Sequence, residues 1–147
     1  MATSRFHSAW FERAFDGTAA LDLDATGAAT VKLAILTSSA TLNADTSNTY
    51  SGVSANEVSG TNYTSAGYTL SGLTAGLDGS NNWAFDANDL SEIAQSGSGF
   101  SNGRSLIVYE TGGGYILYSH TADADFGNVA GPLNIGFDAA GILGVTI

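Results

Sequence analysis

A chain of 147 residues with no cysteine and a formal net charge of −10 has room for one domain with its own core, and disulfides and thiolate metal sites are excluded. Its four cations, Arg5, Arg13, Lys32 and Arg104, are too few and scattered to neutralise phosphates, which sets nucleic acid aside and disfavours an anionic membrane. Only 12% of the residues are charged, beside 19 glycines, a balance that suits a turn-rich β protein better than a helical enzyme.

Taken in chain order, Thr3 or Ser4 is placed to cap a short helix over Arg5–Phe15. Phe6, Trp10 and Ala14 recur at helical spacing, and Phe11 with Phe15 adds a second row. Asp16-Gly17 stops it. A helix this short is marginal alone, so its aromatic face must dock, either on its own domain or on a neighbouring subunit. Charged residues interrupt Met1–Phe15, so no signal-peptide core is present and synthesis in the cytoplasm is expected. No apolar run approaches the ~20 residues of a membrane helix.

Asp22–Gly27 suits a turn. Thr30–Thr37 is the clearest strand, with Val31, Leu33 and Ile35 on one face and Lys32, Ala34 and Leu36 on the other. Apolar residues on both faces predict a central position. Ser38–Ser54 is a polar excursion, and ordered excursions of that length usually have a task. Ala55–Gly60 and Tyr63–Leu73 follow, the latter with a strand in its middle and Gly67 at a bulge or turn. Asp78–Asn82 carries an Asp-Gly hairpin signal before a short strand at Trp83–Phe85. Asp86–Leu90 predicts a turn, Leu90–Ala94 a helical turn, and Ser96–Gly103 a Gly/Ser loop.

Ser105–Glu110 and Tyr115–His120 flank a Gly-rich turn and form the best hairpin in the chain. Thr121–Pro132 is expected as a loop, Leu133–Phe137 as a strand, and Ile142–Ile147 as a terminal strand. The sum predicts a mainly β fold, a single-domain antiparallel β-sandwich or barrel of about seven or eight short strands with a short N-terminal helix. Residues 1–17 make the helix and turn and 18–147 the sandwich, with no linker or tandem repeat.

Chemistry is harder to find. The two histidines, His7 and His120, have no nucleophile-elbow serine beside them in sequence. Asp22/Asp24 and Asp123/Asp125 alternate, and Asp86 and Asp89 flank a turn, so each pair offers oxygen ligands. None has EF-hand spacing, and such stretches are usually solvated loops. Trp83 lies near Asp86 and Asp89, the pairing of aromatic and acids that a glycosidase needs, but a core tryptophan is the simpler reading. The runs Gly112–Gly114 and Gly97–Gly103 lack the P-loop lysine. No catalytic, cofactor-binding or metal-binding residue is assigned.

The order of pieces carries a resemblance. VKLAILTSS, ANEVSGTNYTSAGYTL and FDAAGILGVT look like a family of small virion structural proteins of tailed bacteriophages. The run from Asn56 to Gly67 is the most recognisable part. The resemblance covers most of the chain and departs from it at Leu90–Gly103 and in the SLIVYETGGGYILYS hairpin. It implies a non-enzymatic particle component without cofactor, most simply a capsid cement or decoration protein. Its partners would be the major capsid protein and copies of itself, and its location the virion. Phe6, Trp10, Phe11 and the excursion Ser38–Ser54 are the candidate contact surfaces. A tail, neck or fibre component is the alternative within the particle. A carbohydrate-binding module stacking sugars on Trp83, Tyr63, Tyr68 and Tyr115 is the alternative outside it.

Overall fold

Apolar side chains on both sides of Val31–Thr37 require a strand covered from above and below. The computed structural model, which describes residues 1–10, 12, 23, 30–46, 49–77, 82–138 and 142–145, is built around such a strand. Ten strands form among these residues: β1 (Thr3–Phe6), β2 (Val31–Thr37), β3 (Tyr68–Thr69), β4 (Thr74–Leu77), β5 (Trp83–Asp86), β6 (Leu90–Ile93), β7 (Gly103–Glu110), β8 (Ile116–Phe126), β9 (Leu133–Ile135) and β10 (Leu143–Val145). They make a five-stranded sheet in the order β1-β8-β7-β2-β3, a three-stranded sheet β10-β5-β4 and a two-stranded sheet β6-β9. Every pairing is antiparallel. The protein is mainly β, as expected.

The centre of the large sheet, β2 with β7 and the start of β8, is buried on both faces. Val31, Leu33 and Ile35 of β2 and Val108 of β7 share one core with Phe85, Ile93, Ile135 and Ile142. These last four belong to or adjoin the strands of the two smaller sheets, so the sheets pack face to face. Ala34, Leu36, Ile107, Tyr109 and Ile116 form a second core on the opposite face. Ala40, Leu42, Tyr50 and Val53 cover it, the last two from the short helix α1 (Tyr50–Val53). The Tyr50 and Tyr109 rings stack with centroids 4.5 Å apart. The excursion after β2 is thus the lid of the second core. Each fully buried Val, Leu or Ile contributes about 1.5–3 kcal/mol before chain entropy is set against it.

Several local expectations change. Thr3–Phe6 is a strand, not the start of a helix, because it pairs with the edge of β8 from Thr3↔Thr121 to Phe6↔Tyr118. Ladder bonds to an existing edge outweigh the costly nucleus of a short helix. Helix is found at Ser8–Trp10 and Glu12. Phe6 and Trp10 do meet, edge to face at 5.2 Å, but across a strand-to-helix junction. Phe11, Ala14, Phe15, the Asp16-Gly17 stop and nearly all of the Asp22–Gly27 turn lie outside the described residues. Leu90–Ile93 pairs with β9 as a strand instead of forming a helical turn, and Thr121–Phe126 prolongs β8 instead of looping. The proposed Asp-Gly turn falls on residues 78–81, also outside the described set, although β4 and β5 pair across it.

Gly67 adopts φ +74°, and a Cβ there would overlap the Leu33 carbonyl oxygen. Gly76 faces open space. Gly67→Ala should therefore cost about 2–4 kcal/mol in denaturant unfolding, while Gly76→Ala should stay within about 0.5 kcal/mol of the parent.

Candidate functional site

The run from Asn56 to Gly67 closes the outer edge of β2. β3 reaches only Lys32 and Leu33, so the backbone groups of Ile35 need other partners. The Ile35 amide donates to the Tyr63 hydroxyl at 3.1 Å, and the Val58 amide donates to the Ile35 carbonyl at 3.0 Å. Glu57 bridges to Leu36. A phenol oxygen here replaces the carbonyl that a neighbouring strand would supply. The Glu57 carboxylate then fixes the loop, accepting from Tyr63 at 2.5 Å, Tyr50 at 2.7 Å and the Ala66 amide at 3.2 Å. Through Tyr50 the same carboxylate ties the lid of the second core to the edge of the first.

Two further polar residues act as loop fasteners. Asn128 is wholly buried. Its Oδ1 accepts from the Phe100 amide at 3.0 Å, and its Nδ2 donates to the carbonyls of Ala94 at 2.9 Å and Thr61 at 3.1 Å. Glycine is required around it, since a Cβ at Gly99 would overlap Asn128 Oδ1 and one at Gly127 the Phe100 carbonyl. The buried Glu110 carboxylate accepts from the amides of Gly112 and Gly113 at 2.6 Å and of Tyr115 at 3.4 Å, shaping the β7–β8 turn. Nothing in the sequence distinguished Glu57, Glu110 or Asn128 from solvated loop residues.

The residues considered for chemistry are mostly held in structural bonds. His7 is buried, its Nε2 2.9 Å from Ser119 Oγ. His120 Nδ1 lies 2.8 Å from Ser4 Oγ, which also accepts from Tyr118 at 2.9 Å. Folding therefore gives each histidine a serine that sequence adjacency did not show. Arg104 donates to Asp125 Oδ1 at 2.6 Å and to the Asp123 carbonyl at 3.2 Å, so this acidic pair is an ion-pair site. Asp86 caps the Ala87 amide and Asp89 the Phe137 amide, both at 2.8 Å. Asp22 and Asp24 lie outside the described residues. Among the described residues no His/Asp/Glu group is placed to hold a metal. Of the aromatics considered for sugar stacking, Tyr63 packs edge to face on Tyr68 and Phe100, and Trp83 is half-buried against the first core.

An open cleft of about 390 Å³ lies between the large sheet and the β9 segment. Leu106, Val108, Leu133, Ile135 and Phe137 line it, with Tyr118, His120, Asn134 and Asp138 supplying its polar groups. That volume and lining suit an apolar group with one polar end. Of the expected contact surfaces, Trp10 is only 4% exposed and packs into the first core of its own domain. Phe6 remains 39% exposed. No family model, curated protein or solved structure matches the chain.

Burial, followed by the bond to Glu57, holds the Tyr63 phenol well above its ordinary value of about 10. Above pH ~10 the unfolded chain releases this proton and the folded chain keeps it, so stability falls as pH rises. Below that pH this contribution is constant. Tyr63→Phe should cost about 1–3 kcal/mol at neutral pH and flatten the decline between about pH 9 and 11, as read by urea unfolding at each pH. Asn128→Ala, which removes three hydrogen bonds to backbone groups and leaves the Ala94 carbonyl only its bond from Asn62, should cost about 2–4 kcal/mol at every pH.

Proposed function

We propose that this chain is a non-enzymatic structural protein of a tailed-bacteriophage particle, a capsid cement or decoration protein that binds the outer face of the major capsid shell. The reading starts from the sequence resemblance. The observation that carries it further is the use of the Asn56–Gly67 run as a fastening. In this chain that run closes the edge of a sheet and locks the lid of the second core, and such a device serves shape. Glu57, Glu110 and Asn128 hold loops in place and Arg104 ties β7 to β8, which supports a role in rigid packing.

A rigid β module suits repeated contact on a symmetric lattice. Each contact can be weak, because binding at many equivalent positions and bridging of adjacent subunits multiply it. Apolar contact contributes about 25 cal/mol per Å² before association costs are subtracted. A rigid partner also forfeits little ordering entropy on binding.

The test is incorporation. The purified chain, mixed with expanded heads assembled from the major capsid protein of the same phage, should co-sediment with them in a copy number on the order of hundreds. Saturation at about a dozen copies per particle would move the protein to the tail or neck, and no incorporation would end the reading. Deleting residues 1–15 is a poor probe of anchoring, because it removes the buried His7 and Trp10. Substitution of the exposed Phe6 by serine keeps those two in place.

A further inference from the structure

We propose that the cleft between the large sheet and β9 binds a small amphiphilic organic cation, an ammonium group on an apolar body, with about a dozen heavy atoms in all. The cleft forms where the cover of the first core runs out. Leu33, Val108, Tyr118 and Phe6 stand opposite one another in a row across the large sheet. Leu33 and Val108 are each 1% exposed, Tyr118 is half-buried and Phe6 is 39% exposed. The β9 segment supplies the facing wall through Leu133, Ile135 and Phe137, and the space between measures about 390 Å³. At about 30 Å³ for a group the size of water, that is room for roughly a dozen heavy atoms.

Both walls are fastened by the fold itself. On the sheet, the Tyr118 hydroxyl donates to Ser4 Oγ at 2.9 Å, and Ser4 Oγ lies 2.8 Å from His120 Nδ1. These bonds fix two of the rings that line the cleft. Opposite them, the Phe137 amide donates to Asp89 Oδ1 at 2.8 Å, which holds Phe137 and its neighbour Asp138 in place. A lining that is already ordered forfeits little entropy on binding.

The lining decides the charge of the ligand. Among the described residues that line the cleft, none is lysine or arginine and Asp138 is a carboxylate. The Asp89 carboxylate stands behind the same wall, 3.6 Å from where a Cβ on Gly136 would lie. An anionic head would meet like charge on a chain that already carries −10, whereas a cation is drawn in. The rings of Tyr118, Phe126 and Phe137 also line the cleft, and aromatic faces attract cations, as in the recognition of quaternary ammonium groups. Leu106, Val108, Leu133 and Ile135 give the rest of the ligand an apolar surface. The site uses no phage component and stands or falls independently of the virion reading.

Calorimetric titration of the full chain with hexyltrimethylammonium should give a Kd of about 0.1–1 mM. 1-Hexanol should bind more weakly, and hexanoate more weakly still. In amide NMR spectra the cation should shift Val108, Tyr118 and Phe137 and leave Asp45 unmoved, an exposed acid in the excursion over the second core. Asp138→Asn should weaken the cation about threefold to fivefold and leave 1-hexanol unchanged, while Asp45→Asn, which removes the same charge elsewhere, should change neither. Ala122→Phe fills the cleft from β8 and should abolish binding of both. No binding up to about 10 mM, equal affinity for the three hexyl probes, a cation affinity that Asp138→Asn leaves intact, or a shift at Asp45 as large as in the cleft would overturn the proposal.

Discussion

The structure turns on the need to satisfy the backbone of a strand that is buried on both faces but lacks a full neighbour on one edge. β2 gains continuous pairing from β7, while β3 accompanies it for two residues only. Beyond Leu33, an amide and a carbonyl of Ile35 would be left in a dry interior, each costing on the order of 1–3 kcal/mol if unpaired. Tyr63 and Val58 supply those two bonds, and Glu57 orients Tyr63. The loop therefore takes the place of a missing length of strand, and the close approach of Gly67 to Leu33 follows from it.

That solution couples the two halves of the interior. Glu57 joins Tyr63, which packs with the first core, to Tyr50, which packs with the second. Asn128 performs a similar task on the other side of Phe100 from Tyr63, where it gathers segments near residues 61, 94 and 100. Long irregular connections are tolerated because their polar groups converge on a few buried side chains.

How much could be read from residues alone depended on periodicity. β2, β7 and the first half of β8 alternate cleanly, and their placement side by side follows from apolar residues on both faces. Thr121–Phe126 escaped notice because Ala-Asp alternation has the right period without the apolar signal. Leu90–Ile93 is too short for its pattern to separate strand from helix. The spacing of Phe6 and Trp10 matched a helix, yet the contact it foretold spans two elements. The helix Tyr50–Val53, sequence YSGV, has a glycine and a β-branched residue in four positions and no periodic cue. The fasteners were invisible for a different reason: Glu57, Glu110 and Asn128 acquire their meaning from partners supplied by the fold.

The pairing of β1 with β8 sets an order on biosynthesis. Thr3 lies opposite Thr121, so β1 has no partner until the chain has been made as far as β8. The β7–β8 hairpin, closed by the Glu110 carboxylate, is by contrast assembled from contacts a few residues apart. Local elements of this kind close early, and distant ones must wait. The N-terminal strand is consequently the last piece of the large sheet to be laid down, against a platform already in place, and its edge of β8 stays open to competing strands for as long as that takes.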